Sequence, residues 1–589
     1  MQNLGYRFGM RQRAIPVTFY FNLPVKLSLE RLDLWMEEAL EIDSKEYKPL
    51  FLTQEHSGTF EALYLKRLLH TTTALLQDIC IPVFECATIS DVQKDSTQKQ
   101  LYMAKVWFPV VEGFPSEIIH AWLKISHELI CTYFRIFNNH DDVEDFYQDF
   151  NKKNVLPWSN KIPGGKSTIP ILQAAFDQGI PFYHLGAGRY LLGWGSQSRI
   201  FDRSSNSLDS ALGSWASHNK HIAVKIMRQS GIPVPNGVTF NSSRKIDISS
   251  VSHLGTPLVL KPVDRDRGEG VTLGITSDEQ FQSAFEIAQK LSKTILVEEQ
   301  ISGVCYRVLV VDSRIIYVVK RNPKGITGDG VSNIETLVSN ANNIIRKKIP
   351  RKRLPELQLD QQAKECLEQG GLSAGSVLPL GQKVALRPAQ STQWGGDPEE
   401  MTSQLHPDNA EICIRAASSL RLSCAGVDFI STDIAVPWHQ NGAVINEVNF
   451  SPVIGRTHAY QRDAARCYLK QLFPQNGRIQ IDLFLGTDNA AAAVNRWKTQ
   501  LEGGLRCYFI SDAGIVNPEG KPFFTAGEQT VFARVSSLRT ICSIDALVIQ
   551  TSDKDVFSKS GYPFEQALPS STGFGVKPHP SHGGIRVLG

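Results

Sequence analysis

Asp428, Glu447 and Asn449 are the side chains of this sequence whose types and spacing most directly suggest chemistry. Gly426-Val427-Asp428-Phe429-Ile430 and Ile445-Asn446-Glu447-Val448-Asn449 are short apolar runs that each carry hard oxygen ligands. In an extended strand the side-chain period is two, so Glu447 and Asn449 share a face. Oxygen donors without Cys or His suit Mg²⁺ held between protein carboxylates and nucleotide phosphates. Upstream, Val259-Leu260-Lys261-Pro262 sets a lysine in a strand, and the loop from Asp264 to Val271 contains Gly268 and Gly270. A strand-borne lysine, a glycine-containing loop and a distant carboxylate–amide pair are the parts of an ATP site.

Composition limits what surrounds these residues. The 589-residue chain is 42% hydrophobic and 21% charged, an ordinary balance for a globular protein. A net charge of +3 gives no reason to expect nucleic acid or an anionic membrane as partner. Ten cysteines without a C-x-x-C pair indicate neither a zinc site nor a disulfide framework, and a reducing cytoplasm fits them. Residues Met1 to Arg7 hold no apolar core of signal-peptide length, and no apolar run approaches a membrane span. A cytoplasmic protein is the expectation.

The elements that must position the chemistry follow from periodicity. Ile15 to Leu23 reads as a strand closed by Pro24, and Tyr102 to Val110 as another. Helical spacing runs through 59–78 and 116–137. A polar, Gly-rich stretch from Asn151 to Lys166 marks a boundary. Beyond it come helices at 169–178 and 221–229, the strand 257–261, a helix near 278–292 and the strand 294–298. Strands alternating with helices predict α/β layers.

In order along the chain, these motifs resemble the ATP-grasp ligases and, within them, the cyanophycin synthetases. Asn219-Lys220 and Gly231-Ile232-Pro233-Val234-Pro235 resemble D-K and G-[IV]-P-V-P. Val259-Leu260-Lys261-Pro262 resembles the strand lysine, Gly268-Glu269-Gly270-Val271 the phosphate-covering loop, and Ile295-Leu296-Val297-Glu298 the hinge that holds adenine. Arg307-Val308-Leu309-Val310-Val311, Gly328-Asp329-Gly330, His406-Pro407-Asp408-Asn409 and Glu447-Val448-Asn449 complete the series. The resemblance covers roughly 205–470, with a weaker echo upstream at Gly58-Thr59-Phe60.

That resemblance implies three domains in a mixed α/β and α+β chain: an N-terminal α+β domain at 1–165, an ATP-grasp domain at 166–474 and a Mur-ligase-like remnant at 475–589. It implies ATP and Mg²⁺ as cofactors. Lys220, Lys261, Gly268, Gly270 and Glu298 would bind nucleotide, and Asp428, Glu447 and Asn449 would hold the metal. Arg307 and Arg387 would act on the substrate carboxylate or the transferring phosphoryl group; for Arg387, Asp329 and His458 a surface or structural role is the alternative. The activity implied is a carboxylate–amine ligation through an acylphosphate, with amino acids and peptides or small carboxylates as substrates, in a homo-oligomer. A non-enzymatic alternative is a pseudo-ligase that binds nucleotide or peptide and partners a complete synthetase. A third reading is a kinase that stops at a phosphorylated product.

Departures from the pattern gather near the expected acceptor pocket. Phe450-Ser451-Pro452-Val453 follows Glu447-Val448-Asn449 where the family has A-A-P-G, and Gln390 to Gly396 is longer than its N-L-S-T-G-G. In the tail, Gly486-Thr487-Asp488-Asn489-Ala490-Ala491 stands where the family has G-T-N-G-K-T. Ala490 replaces the phosphate-binding lysine and Ala491 the metal-binding threonine, so no second ATP-dependent step is expected there. Leu547 to Thr551 and Gly573-Phe574-Gly575 read as further traces of that shortened domain.

Overall fold

Along Arg13–Asn22 buried and exposed side chains alternate, as a strand with one face on a core requires. This strand pairs in antiparallel fashion with Leu101–Val110, which pairs in turn with Thr88–Lys94. The helices Leu29–Leu40, Phe60–Asp78 and Ile119–Asn138 supply the apolar cover, with Trp35, Leu68, Leu75, Trp122 and Ile130 among its buried members. Residues 151–159, read from sequence as a polar boundary, form helical turns, and Val155 is buried among the same core.

The computed structural model describes residues 5–6, 10–40, 42, 58–96, 98, 100–138, 149–159, 165–244, 246–265, 269–347, 355–387, 396–455, 459–527, 530–552 and 585–588. Gly268, most of the Gln390–Gly396 segment, His458 and Gly573–Gly575 lie outside the described residues. Among the described residues no helix is long and apolar enough to cross a membrane, and all ten cysteines are free thiols.

The chain divides into two units. One comprises Met1–Arg203, Ile349–Arg351 and Leu472–Gly589; the other comprises Ser204–Lys348 and Lys352–Gln471. The helix Thr168–Asp177 and the strands through Asp202 lie in the first of these.

The second unit holds every candidate site residue. Its first sheet is antiparallel in the order Thr272–Ile275, Leu258–Pro262, Thr294–Glu299, Gly237–Asn241. The helix Asp278–Gln289 packs Phe281 and Phe285 into its core, and a Ser277–Gln280 capping box starts that helix. Its second sheet runs Asp397–Glu400, Arg314–Asn322, Val304–Val311, Cys424–Ser431, Val444–Phe450, again antiparallel. Val308, Val427 and Val448 face the buried side with Met227, Ile412 and Ala416 from two helices, Lys220–Gln229 and Pro407–Ser419. With one face buried by helices, the charged side chains of alternate parity stand on the other. Between the second and first strands of this sheet a module at 325–387 carries its own small core around Ile334, Leu367 and Leu378.

In the first unit the tail forms a six-stranded sheet. Gln480–Leu485 lies between Ala546–Thr551 and Ile585–Leu588, parallel to both, and Cys507–Ile510 runs parallel to Ala546–Thr551. Gly486, at φ +86°, turns this strand into the helix Ala490–Glu502. Strand, glycine turn and helix are therefore all present where the sequence lacks the lysine.

Candidate active site

Register assembles the site. In the five-stranded sheet Arg307 stands opposite Asp428, Asp428 opposite Glu447, and Gly426 opposite Asn449. Opposed antiparallel residues have Cβ atoms about 5 Å apart, so Arg307, Asp428 and Glu447 form one row. Arg307 Nε lies 2.6 Å from Asp428 Oδ1 and its Nη2 donates to Oδ2 at 3.1 Å. Arg321 Nη1 approaches the same carboxylate at 3.4 Å, and Asn449 Nδ2 donates to it at 3.3 Å. Asp428 is 4% exposed; two guanidinium groups and an amide offset the cost of burying its charge. Burial opposes the charge of Arg307, but nearby groups, Asp428 foremost, hold the guanidinium above its ordinary value. Two residues earlier on that strand, burial reinforced by Asp428 pushes the Cys305 thiol up to about 12, leaving it neutral.

The four-stranded sheet supplies a second ion pair. Lys261 stands opposite Leu296 and Glu298 opposite Val259, which makes Lys261 and Glu298 diagonal neighbours on one face. Lys261 Nζ lies 2.6 Å from Glu298 Oε2, and both residues are buried. Gly237, opposite Glu298 on the outer strand, leaves room for this carboxylate: a Cβ there would sit 2.6 Å from Glu298 Cγ. Sequence reasoning gives Glu298 to adenine, whereas in the structure its carboxylate holds the lysine.

Lys220 links the two sheets. It is the first residue of its helix, whose cap is Asn219. Lys220 Nζ lies 3.4 Å from Glu447 Oε1 and donates to the carbonyl of Arg265, in the loop after Lys261, at 2.6 Å. In that loop Gly270 has φ +73°, and a Cβ would fall 2.6 Å from Leu291 Cδ1, so a side chain there is strained and obstructed.

Asp428, Glu447 and Asn449 thus offer hard oxygen donors on one face of the sheet, which fits a Mg²⁺ ion completed by phosphate oxygens and water. Among the described residues no group of three or more His, Cys, Asp and Glu side chains is arranged to hold a metal unaided.

The remaining candidates have other partners. Arg387 Nη2 pairs with Asp360 Oδ2 at 3.0 Å, and Nη1 donates to the Leu386 carbonyl at 2.7 Å. Asp360 uses its other oxygen to cap the helix Gln361–Gln369, so Arg387 pins that helix start within the 325–387 module. Asp329 accepts from the backbone N–H groups of Ser332 and Val331, which hold its carboxyl below the usual range. Arg321 is the site residue that sequence reasoning missed.

No protein-family model matches the chain. The cyanophycin synthetase of Trichormus variabilis is 32% identical over 415 residues, which is 68% of this chain and 45% of that protein. The glutathione biosynthesis bifunctional protein of Clostridium perfringens is 30% identical over 251 residues, 42% of this chain and 32% of the relative. Among solved structures, a bifunctional glutathione synthetase from Pasteurella multocida has TM-score 0.41 and 22% identity, covering 61% of this chain and 52% of that one. The chain spans about half the length of the cyanophycin synthetases it matches. By sequence it is a homologue of the cyanophycin synthetases over about two thirds of its own length.

Proposed function

We propose that the chain is an ATP- and Mg²⁺-dependent carboxylate–amine ligase that adds an amino acid to a peptide or a small amino-acid-derived acceptor. One observation carries this reading: Lys220 joins the loop after Lys261 to Glu447, bringing the cations of one sheet and the carboxylates of the other into one site. Phosphoryl transfer needs positioned charge more than a protein nucleophile, and this arrangement supplies it.

In the proposed reaction a substrate carboxylate oxygen attacks the γ-phosphorus, the bond to the β–γ bridging oxygen breaks, and ADP leaves. The amine nitrogen then attacks the acyl carbon, the bond to phosphate breaks, and the nitrogen loses a proton to give the amide. Lys220 and Lys261 would neutralise phosphate charge, exchanging Glu447 and Glu298 for phosphate oxygens. Arg307, with Arg321 beside it, would face the transferring phosphoryl group through forked donors. When bound, Mg²⁺ would add Lewis-acid stabilisation of the terminal phosphates. Gly268 and Gly270 would let the loop close over them, and Arg387 would act from the neighbouring module. The three-part division at 165/166 and 474/475, a cytoplasmic setting and a homo-oligomeric assembly belong to the same proposal; the free thiols and the homology support it.

The test is ADP release by the purified chain with ATP, Mg²⁺ and a panel of amino acids and short peptides, with mass spectrometry of products. Turnover that needs two particular substrates, gives their condensation mass and disappears in Glu447→Ala is the expected result. Nucleotide binding without stimulated turnover, or a stable phosphorylated product without an amide, would overturn it.

A further inference from the structure

Gly426 sits inside a regular strand stretch, between Leu309 on one side and Asn449 on the other. Its backbone is not in the left-handed region where glycine is favoured. A glycine within a strand is less stable there than alanine and commonly marks a close approach by another group. Here the approaching group is Arg307. A Cβ on Gly426 would lie 2.5 Å from Arg307 Nη1, 3.3 Å from its Cδ and 3.0 Å from Pro452 Cβ. The guanidinium therefore crosses the sheet above a bare Cα to reach Asp428, two residues along the same strand. The Gly426 carbonyl also accepts from Asn449 Nδ2 at 3.2 Å.

We propose that Gly426 is a positioning residue for Arg307: its missing side chain lets the guanidinium lie low over the sheet, fixed on Asp428, with its remaining N–H donors turned to the transferring phosphoryl group. This rests on the ligase reading for its catalytic meaning but not for its geometry. The nearest conflicting atom is the end of a flexible side chain, so alanine at 426 displaces chiefly the guanidinium, with Pro452 yielding by a few tenths of an ångström. Function is then lost in a protein that remains folded.

The experiment compares Gly426→Ala, Arg307→Ala and the double variant. Gly426→Ala is expected to unfold cooperatively but to melt below the parent, because Asp428 stays buried with one guanidinium displaced, to lower kcat roughly 10- to 100-fold, and to keep its KM for ATP. In the Arg307→Ala background the second substitution should change kcat less than about twofold, because the group it displaces is gone. A readout independent of turnover is the ¹⁵N–¹H resonance of Arg307 Nε, assigned by its loss in Arg307→Ala. That resonance should shift or broaden in Gly426→Ala. An unchanged Nε resonance, or equal effects of alanine 426 with and without Arg307, would overturn the proposal. If the single variant fails to fold, recovery of folding in the double variant supports the proposal and continued failure overturns it. Should the parent show no ligation, the functional reading falls, while the Nε resonance still decides whether Gly426 positions Arg307.

Discussion

Two parts of this chain present a glycine turn after a strand, and only one of the turns presents lysine side chains. After Leu258–Pro262 the loop reaches Gly270 at φ +73°, with Lys261 at its start and Lys220 bound to its Arg265 carbonyl. After Gln480–Leu485 the chain turns at Gly486, φ +86°, into a helix that begins with four alanines. There the nearby polar groups satisfy one another. Asn489 Nδ2 donates to the Leu485 carbonyl at 2.7 Å, and Gln550 Nε2 to the Gly486 carbonyl at 3.2 Å. Asp512 is taken up by the hydroxyls of Thr551 and Ser552. Apolar packing around Ile481, Leu483 and Ile549 sustains the turn whether or not a ligand uses it. Backbone shape survives the loss of chemistry, because the two depend on different residues.

The largest effect that separates the two regions concerns nucleotide binding. Lys261→Met should weaken ATP analogue binding by about 100-fold, the worth of a charge-assisted contact of about 3 kcal/mol. Calorimetry on the parent should give one nucleotide per chain. Two sites, or one unaffected by this variant, would mean that the Gly486 turn binds nucleotide without a lysine and would break the comparison.

Stability should respond in the opposite place. Asp482, in the middle of the strand before Gly486, is fully buried and pairs with Arg496 Nε at 2.6 Å, with Gln480 and Gln500 adding hydrogen bonds. Arg496→Met removes the cation and strands the carboxylate, at a cost of about 3 kcal/mol. Denaturant unfolding should show that loss, and nucleotide affinity should stay as in the parent. A fall in ATP affinity of comparable size would tie the two regions together.

Acid sharpens the contrast by a third route, through the N-terminal helices. Burial, aided by Lys66 and Arg67, lowers His70 to about 4, and burial alone lowers His127 to about 4, against an ordinary 6.5. Between those values the unfolded chain binds protons that the folded chain does not. Stability is therefore complete above about pH 6.5 and falls as pH drops toward 4. Thermal melts across that window should show the slope, and His70→Gln should flatten it. A parent melting temperature that does not change from pH 7 to 4.5 would contradict this.

Much of the site was legible because strand parity is rigid. Glu447 and Asn449 share a face as their spacing requires, and Asp428 lies beside them, although the register between these strands shifts just beyond this pair. Arg321 was hidden for the same kind of reason. The hairpin at Asp312–Ser313 starts a register in which Val311 opposes Arg314, and continuing it would put Arg321 on the opposite face from Arg307. The shift between Leu309 and Val310 reverses that parity, so Arg307 meets Val319 and Arg321 joins its face. No residue in that stretch announces the shift. The Lys261–Glu298 pair was hidden for another reason: a hinge motif gives the order of residues, while the partner of a buried carboxylate depends on which cation the neighbouring strand brings within reach. The helical turns at 151–159 were read as a boundary because their polar residues outweighed the apolar side chains, Val155 and Trp158, that pack them on the core.

The smallest effect tests whether the Gly486 turn is only structural. Asn489 ends the single turn that precedes the helix and returns its side chain to Leu485, fastening the strand end to the helix start. If packing and this hydrogen bond are what maintain the turn, Asn489→Ala should lower stability by about 1 kcal/mol, one net hydrogen bond, and leave ligation unchanged. Asn489→Gly, at the position where nucleotide-binding turns of this type carry glycine, should cost slightly more, because it adds backbone freedom to the unfolded chain. A ligand at the turn predicts a different order, in which removing the Asn489 side chain changes how nucleotide or phosphate shifts the melting temperature. Melts of both variants with and without 10-fold increments of inorganic phosphate distinguish the two, and parallel shifts in parent and variants would leave the turn with structure alone.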